Sequence, residues 1–527
     1  MIRALASLAL LSLAAASSPS MSRADQWWAD IAAIADDANE GRETGSVGYL
    51  RAADYVEGRL REIGLTPAGD TGFRQDVPFE EQRIDYPASS AQLIGAKGEV
   101  IPLKLGSDML IASGGGPRPA MVDAPLVFIG YGLNLPNKGH DDLAGLELKG
   151  KIAVAIAGGP GDIPGPVKAS NRSDRTAFLG KAGAVGLITL TPPRQIEIPW
   201  ARQKLLSPAP GMYLADGPLR ETPNGFLSAS FDPEQSERLF AGTGHSFAEL
   251  AAASDQSARM PTFALPLRLK ASIVTHRRLL TSPNIVAKLQ GSDPALAQEY
   301  VVVSAHLDHV GIGAPINGDR IYNGAMDDAS GVATVLDIAA RLKAGPRPKR
   351  SFIFAIVTAE EKGLLGSSYF ARRPTVPAGS IVADLNFDMP LPLWKLETVL
   401  VQGDQESSLG DPARAVAARH GLSLIPDPLP NRNSFTRTDQ YAFVRAGIPS
   451  LAFKFGFPPG SKAFEIEHGW RANRYHSPSD DLNQPGVLRE EAIKLDDYVA
   501  ALAIEIANDP VRPTWLPTSV FAKFARQ

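Results

Sequence analysis

Histidines and carboxylates recur in the second half of this chain at positions where a protein could hold metal and activate water: His306 and Asp308, Asp327 and Asp328, Glu360 and Glu361, Asp388, and His476. Singly, each has an ordinary explanation. Asp328 or Ser330 can cap a helix, Glu360-Glu361 can be a solvated pair, and His476 can be a loop histidine. Jointly they say more, because crowded carboxylates raise each other's pKa unless cations neutralise them, so this many acids call for divalent metal. The sequence contains no cysteine, which removes thiolate ligands, thiol nucleophiles and disulfides. Nitrogen and oxygen ligands without sulfur fit zinc in an open, catalytic coordination.

The elements that must position these residues can be read from periodicity. From Ser282 to Asn508 strands and helices alternate in the manner of an open α/β sheet. Strands are expected at Ile285 to Leu289, Tyr300 to Ala305, Phe352 to Thr358, Ile381 to Phe387, Val399 to Gln402 and Ser450 to Phe453. Val332, Val335, Leu336, Ala339 and Leu342 form a helical stripe, and an amphipathic helix closes the region over about Arg489 to Ala507. His306 and Asp308 thus follow one strand, Glu360 and Glu361 another, and Asp388 a third. The ends of parallel strands are where α/β proteins build their sites.

Upstream, Ala24 to Leu65 carries helix periodicity in two pieces. Between Pro78 and Arg278 the texture changes to short apolar runs divided by Gly and Pro, which predicts mostly strand with one helix ending at Lys181. The expected division is an export signal over 1–24, N-terminal helices over 25–77, an inserted β-rich region over 78–278, a catalytic domain over 279–509 and a tail over 510–527. The signal rests on Arg3 followed by the apolar run Ala4 to Ala16 and small residues; cleavage would fall near Ala16 or after Ala24. That run is too short to span a bilayer, so stable membrane insertion is not expected after its removal, and the protein is expected to be periplasmic or secreted. Across 527 residues, 53 basic and 57 acidic side chains give a net charge of −4, a balance that speaks against a nucleic-acid partner.

Five pieces carry a resemblance: His306-Leu-Asp308, Asp327-Asp-Ala-Ser-Gly331, Thr358-Ala-Glu-Glu361, Asn386-Phe-Asp388 and Tyr475-His-Ser-Pro478. In type and order the chain resembles the co-catalytic di-zinc exopeptidases of the bacterial leucyl aminopeptidase type, in the clan of glutamate carboxypeptidases and the transferrin receptor. The resemblance implies a mixed, mostly parallel α/β sheet flanked by helices and two zinc ions per chain. His306 and Asp388 would bind one, Glu361 and His476 the other, and Asp327 would bridge them. It further implies that Asp308 orients His306, that Asp328 shapes the bridging loop, and that Glu360 is the general base for a shared water. His309 has no ligand role in that family, so a supporting role is expected. Gln440 stands where a family motif has His, which leaves Asp439 to order the substrate wall, and Met389-Pro390 after Asp388 varies the pocket floor. His140, His245, His276, His420 and His468 are expected to be structural or at the surface. Through Gly130-Tyr-Gly132, Gly145-Leu-Glu-Leu-Lys-Gly-Lys151 and Gly180-Lys-Ala-Gly-Ala-Val-Gly186, the inserted region resembles a protease-associated domain.

The function implied is removal of N-terminal residues from peptides. A carboxypeptidase or dipeptidase on the same metal set is the alternative, with Arg432, Arg437, Lys454 and Arg474 as candidate carboxylate anchors. A non-catalytic binding protein on the same fold would have lost ligands, and every expected ligand and the base is present. Side-chain preference, oligomeric state and the metal loaded are not encoded in ligand types.

Overall fold

The computed structural model describes residues 21–112 and 115–525. Residues 1–20, most of the expected export signal, lie outside that set. The first helix, Arg23–Ile34, is capped by Ser22, whose hydroxyl accepts from the Asp25 amide at 3.1 Å. It buries Ala24, Trp27, Ile31 and Ile34, so the boundary expected at residue 24 overlaps a packed helix. The second, Val47–Ile63, is capped by Ser46 and stops at Gly64, whose φ of 82° suits the left-handed turn that ends helices.

The core is a ten-stranded mixed sheet. Its central strands Ser351–Val357, Tyr300–His306, Ile381–Phe387 and Ser450–Phe455 run parallel as neighbours, and antiparallel strands flank them. All residues of these four strands are buried, because both faces are covered. On one face Val301, Val303 and Ala305 pack with helices Arg23–Ile34, Ser330–Ala344 and Arg489–Asn508. On the other, Val302, Ile353 and Ala355 meet Phe370 and Phe443 from helices Leu365–Arg372 and Gln440–Arg445.

The inserted region has its own eight-stranded sheet and core. Its expected limits at 78 and 278 need correction. Strands Arg74–Ile84 and Thr275–Leu289 pair over eleven residues, from Arg74 opposite Ile285 to Ile84 opposite Thr275, and both belong to the core sheet. The limits therefore cut through two core strands, and the excursion proper leaves after Ile84 and returns at Thr275. It also sends Gly211–Leu214 back to the edge of the core sheet beside Arg74–Ile84. The helix expected to end at Lys181 is two, Gly165–Ser173 and Arg175–Lys181, and helices Trp200–Leu206 and Phe247–Asp255 occur where Gly and Pro punctuation had suggested strand and turn. The tail is anchored: Phe521 is fully buried against Tyr441 and Val444. Among the described residues no helix is long and apolar enough to cross a membrane.

Candidate metal centre and active site

The parallel strands deliver their carboxyl-terminal ends to one edge. Tyr300–His306 ends on His306, Ser351–Val357 leads into Glu360-Glu361, and Ile381–Phe387 into Asp388. The loop before helix Ser330–Ala344 supplies Asp327, joined to Asp328 by a cis peptide bond. His476 comes from the loop after helix Lys462–Asn473. Ala359, Met389 and His476 have φ of 58°, 52° and 50°, left-handed values that non-glycine residues adopt at a cost and that the surrounding structure must hold.

Asp327 is the centre of the arrangement. Its Oδ1 lies 3.3 Å from His306 Nε2, and its Oδ2 lies 3.3 Å from His476 Nε2. Glu361 Oε2 is 3.1 Å from the same His476 nitrogen. His306, Asp327 and Asp388 form one group whose ligand atoms lie within 4.8 Å of one another. His306 Nε2, Asp327 Oδ2, Glu361 Oε1 and Asp388 Oδ1 are buried without a hydrogen-bond partner, an expensive state for polar atoms unless something else satisfies them. Four ligands about 2.0–2.1 Å from a tetrahedral zinc stand about 3.3 Å apart. The spacings of 3.1–3.3 Å fit that cation on both sides of Asp327.

Without a cation, the histidines and acids neutralise one another. Burial lowers the pKa of His476, but Glu361 and Asp327 outweigh it and bring it up to about 10. Burial raises Asp327, yet His306 and His476 hold it well below the usual carboxylate range. Glu360 goes the other way: burial lifts its carboxyl well above the ordinary value, with Asp388, Glu361 and Asp439 adding to the rise and His306 opposing it. The adjacent glutamates thus differ. Glu361 faces the histidines, while Glu360 lines the cleft.

Asp308 meets His306 through its backbone: its carbonyl oxygen lies 3.0 Å from His306 Nδ1, and the carboxylate stands 4.0 Å away. That carboxylate accepts the amides of Glu360 and Glu361, at 3.0 and 3.3 Å, and the Thr44 hydroxyl, so it fixes the turn that carries both glutamates. Asp328 accepts the amides of Gly331 and Met389 at 3.1 and 2.9 Å, tying the Asp327 loop to the Asp388 loop. His309 lies at the centre, its Nδ1 2.8 Å from Glu361 Oε1 and 3.8 Å from Asp327 Oδ2. Both ring nitrogens of His309 are, like Glu361 Oε1, buried without a hydrogen-bond partner, so the 2.8 Å approach is a close contact between unsatisfied atoms. His309 also forms a compact group with Asp327 and Glu361. Gly324 must be glycine here: a Cβ would sit 2.2 Å from the Asp327 carbonyl oxygen and 2.6 Å from the His309 ring.

Two positioning residues had no distinguishing signal in the sequence. Arg42, fully buried, donates to the carbonyls of Leu307, Asn323 and Gly324 and so clamps two site loops to the N-terminal segment. Asp480 accepts the amides of Met326 and Asp327 at 2.9 and 3.0 Å; it lies in the Tyr475–Asp481 loop, but nothing marked it apart from Asp481. Among the candidate anchors, Arg432, Arg437 and Lys454 line the cleft with Asp327, Glu360 and Asp388, whereas Arg474 turns to the Ser479 carbonyl. Gln440 folds onto its own loop, donating to the Phe435 carbonyl, and Asp439 is fully buried, with burial carrying its carboxyl up to about 7. His140, His245, His276, His420 and His468 lie away from the centre; His140 is 2.9 Å from Asp142, for example, and His468 stacks on Phe464.

Residues 284–501 match the sequence model of Peptidase family M28, a stretch that contains every residue of the centre. A probable zinc metalloprotease of Pyrenophora teres f. teres is 35% identical over 204 residues, 38% of this chain and 39% of that protein. Leupeptin-inactivating enzyme 1 of Streptomyces exfoliatus is 36% identical over 246 residues, 44% of this chain and 50% of its own length. The matches thus span half or less of these relatives. Among solved structures, an aminopeptidase from Aneurinibacillus sp. strain AM-1 superposes with a TM-score of 0.53 at 19% identity, covering 94% of this chain and 96% of that one. The likeness in fold therefore extends through the insert as well as the core.

Proposed function

We propose that the protein is a zinc-dependent exopeptidase that removes N-terminal residues from peptides. The observation that carries the reading is the two-sided use of Asp327, with histidine nitrogens 3.3 Å from each of its oxygens. His306, Asp327 and Asp388 would hold one zinc, and Asp327, Glu361 and His476 a second. The chemistry supplied on binding is Lewis acidity, a lowered water pKa and a polarised carbonyl. Glu360, facing the cleft, takes the proton of the attacking water and returns it to the leaving amine. Asp308 holds Glu360 in place through its backbone amide. We read the insert as a protease-associated module beside the cleft and the segment up to about Ala16 as an export signal, which makes the enzyme periplasmic or secreted.

The test is metal analysis of purified protein together with two substrates. Two zinc ions per chain, activity on an amino-acid anilide and its loss to a chelator are expected. Activity confined to N-blocked peptides with a free carboxyl terminus would replace this reading with the carboxypeptidase one, which the cationic side chains in the cleft favour.

A further inference from the structure

A cavity of about 760 Å³ lies at the junction of insert and core. Its lining is strongly cationic: Arg172, Arg175 and Arg194 from the insert and Arg432 and Arg437 from the core, against the carboxylates of Glu197 and Asp255. Arg432, Arg437 and Glu197 also line the catalytic cleft beside Asp327, Glu360 and Asp388, so the two spaces adjoin. The cleft adds Lys454, whose Nζ is 2.6 Å from the Asp388 carbonyl oxygen.

The acids present neutralise this wall only in part: Arg432 is paired with the buried Glu467 at 2.7 Å. Glu197 is shared between Arg437 at 2.9 Å and Arg471 at 3.5 Å. Asp255 only approaches Arg194, at 3.9 Å. Arg172 and Arg175 are held by neutral oxygens, Arg172 by the Gly158 carbonyl and the Asn433 side chain, and Arg175 by the Tyr131 carbonyl. Burial lowers the pKa of Arg172 to about 9, with Arg175 adding to the fall, and that of Arg175 to about 10 against the opposing pull of Asp142. A guanidinium taken out of water without an anion is costly, and a cluster of them favours whatever anion enters. Of the two arginines that line both spaces, Arg437 is the more accessible, its side chain 47% exposed against 18% for Arg432. An apolar residue would gain little against this wall, since desolvating charged side chains for an aliphatic group has no compensation.

We propose that the junction of insert and core forms a carboxylate subsite, so that the enzyme selects peptides bearing an acidic group close to the scissile bond. The inference rests on the aminopeptidase reading and names its substrate class. Arg437 is the principal contact, and Arg172 and Arg175 supply the field that draws an anionic peptide along the junction. The carboxylate has two possible sources, an acidic side chain or the free terminus of a short peptide, with the same chemistry.

Four peptides separate them when given to the full-length, zinc-loaded enzyme: Ala-Ala-amide, Ala-Ala, Ala-Glu-amide and Glu-Ala-amide. At least one carboxylate-bearing peptide should show a kcat/KM about tenfold or more above Ala-Ala-amide, the worth of one charge-assisted hydrogen bond. The advantage should shrink as salt rises, because a partly exposed ion pair is screened. Arg437→Gln should remove it mainly through KM, and Arg437→Lys should restore part of it. Arg172→Gln, on the insert and away from the metal ligands, should reduce it as well, and gives an independent answer where Arg437→Gln does not fold. Equal cleavage of all four peptides, or preference for Ala-Ala-amide, would overturn the subsite while leaving the aminopeptidase reading intact. No cleavage of any of them by a metal-loaded enzyme would overturn both.

Discussion

The core and the insert use charge in opposite ways. In the core, acids are buried at the ends of parallel strands and face histidines across Asp327, with atoms left unsatisfied at spacings that fit a cation. In the insert, buried arginines rest on carbonyl and amide oxygens and open onto a cavity. Both groups of residues described as able to hold a metal lie in the core. The sheets differ in the same sense. Core strands such as Ser351–Val357 are buried throughout, whereas Phe263–Ser272 in the insert alternates buried and exposed residues. A sheet covered on both faces can hold a dense set of charges rigidly at its edge, whereas Arg172 and Arg175 of the insert are carried on the helices Gly165–Ser173 and Arg175–Lys181. On the readings proposed above, the chemistry lies in the core, while the anionic group is held where core and insert meet.

The largest effect should come from removing the residue that the two halves of the centre share. Asp327→Ala takes a ligand atom from each side and leaves His306 and His476 without their common partner. Zinc content should fall at both sites and turnover to background, as read by metal analysis and anilide hydrolysis. One zinc ion retained at full affinity would break the bridging assignment.

Next in size is the contrast between neighbouring glutamates. Glu360→Gln keeps the shape of the turn and its amide bond to Asp308, but cannot take a proton. It should lower kcat by about 10²–10⁴-fold with metal content unchanged. Glu361→Gln should instead weaken zinc binding, because Glu361 contacts His476 and His309. Isothermal titration with zinc beside a kinetic assay distinguishes them, and the reverse pattern would exchange the two roles.

These assignments show where the sequence was legible. The local pattern shows His306, Asp308, Asp327, Asp328, Glu360, Glu361 and Asp388 at strand ends or in a helix-opening loop, the family resemblance alone sets His306, Asp327, Glu361, Asp388 and His476 apart as ligands, and the four central strands follow from continuous apolar runs. What could not be read depends on tertiary contact. Arg42 is one basic residue in a turn until its guanidinium is seen on three carbonyls of distant loops. Asp308 and its neighbour in space, Glu360, are 52 residues apart. The insert limits at 78 and 278 were misplaced because a strand that alternates, as Arg74–Ile84 does, has the same local signature whichever sheet it joins.

A smaller effect tests how the two units are held together. Arg202, on helix Trp200–Leu206 of the insert, donates to the carbonyls of Arg471 and Ala472 at the end of helix Lys462–Asn473, both at 2.9 Å. Arg202→Ala should cost about 1–3 kcal/mol of docking stability. Faster limited proteolysis within the insert and an unchanged zinc content are the expected signs. Unaltered proteolysis would mean that other contacts, such as Arg445 with Asp174, carry the junction.

The smallest expected effect concerns an acid that the core buries far from its metal residues. Asp496, on helix Arg489–Asn508, is fully buried and faces Asp337, while Arg23 is engaged by Asp337 itself. Burial drives the Asp496 carboxyl well above its ordinary 3.8, and Asp337 adds to the rise. The folded protein therefore keeps a proton that the unfolded chain gives up above about pH 4. By linkage, this group's contribution to stability falls as pH rises from the unfolded value towards the raised folded one. Asp496→Asn resembles the protonated acid in shape and polarity and has no ionised form, so it should match the wild type near pH 4 and gain on it as pH rises. Each kcal/mol relieved would appear as a rise in Tm of about 2–4 °C for a domain of this size. A gain that is the same at pH 4 and pH 8 would mean that Asp496 stays ionised in the fold. The core would then tolerate a buried carboxylate away from its histidines, and cation demand would no longer distinguish the strand-end acids from the rest.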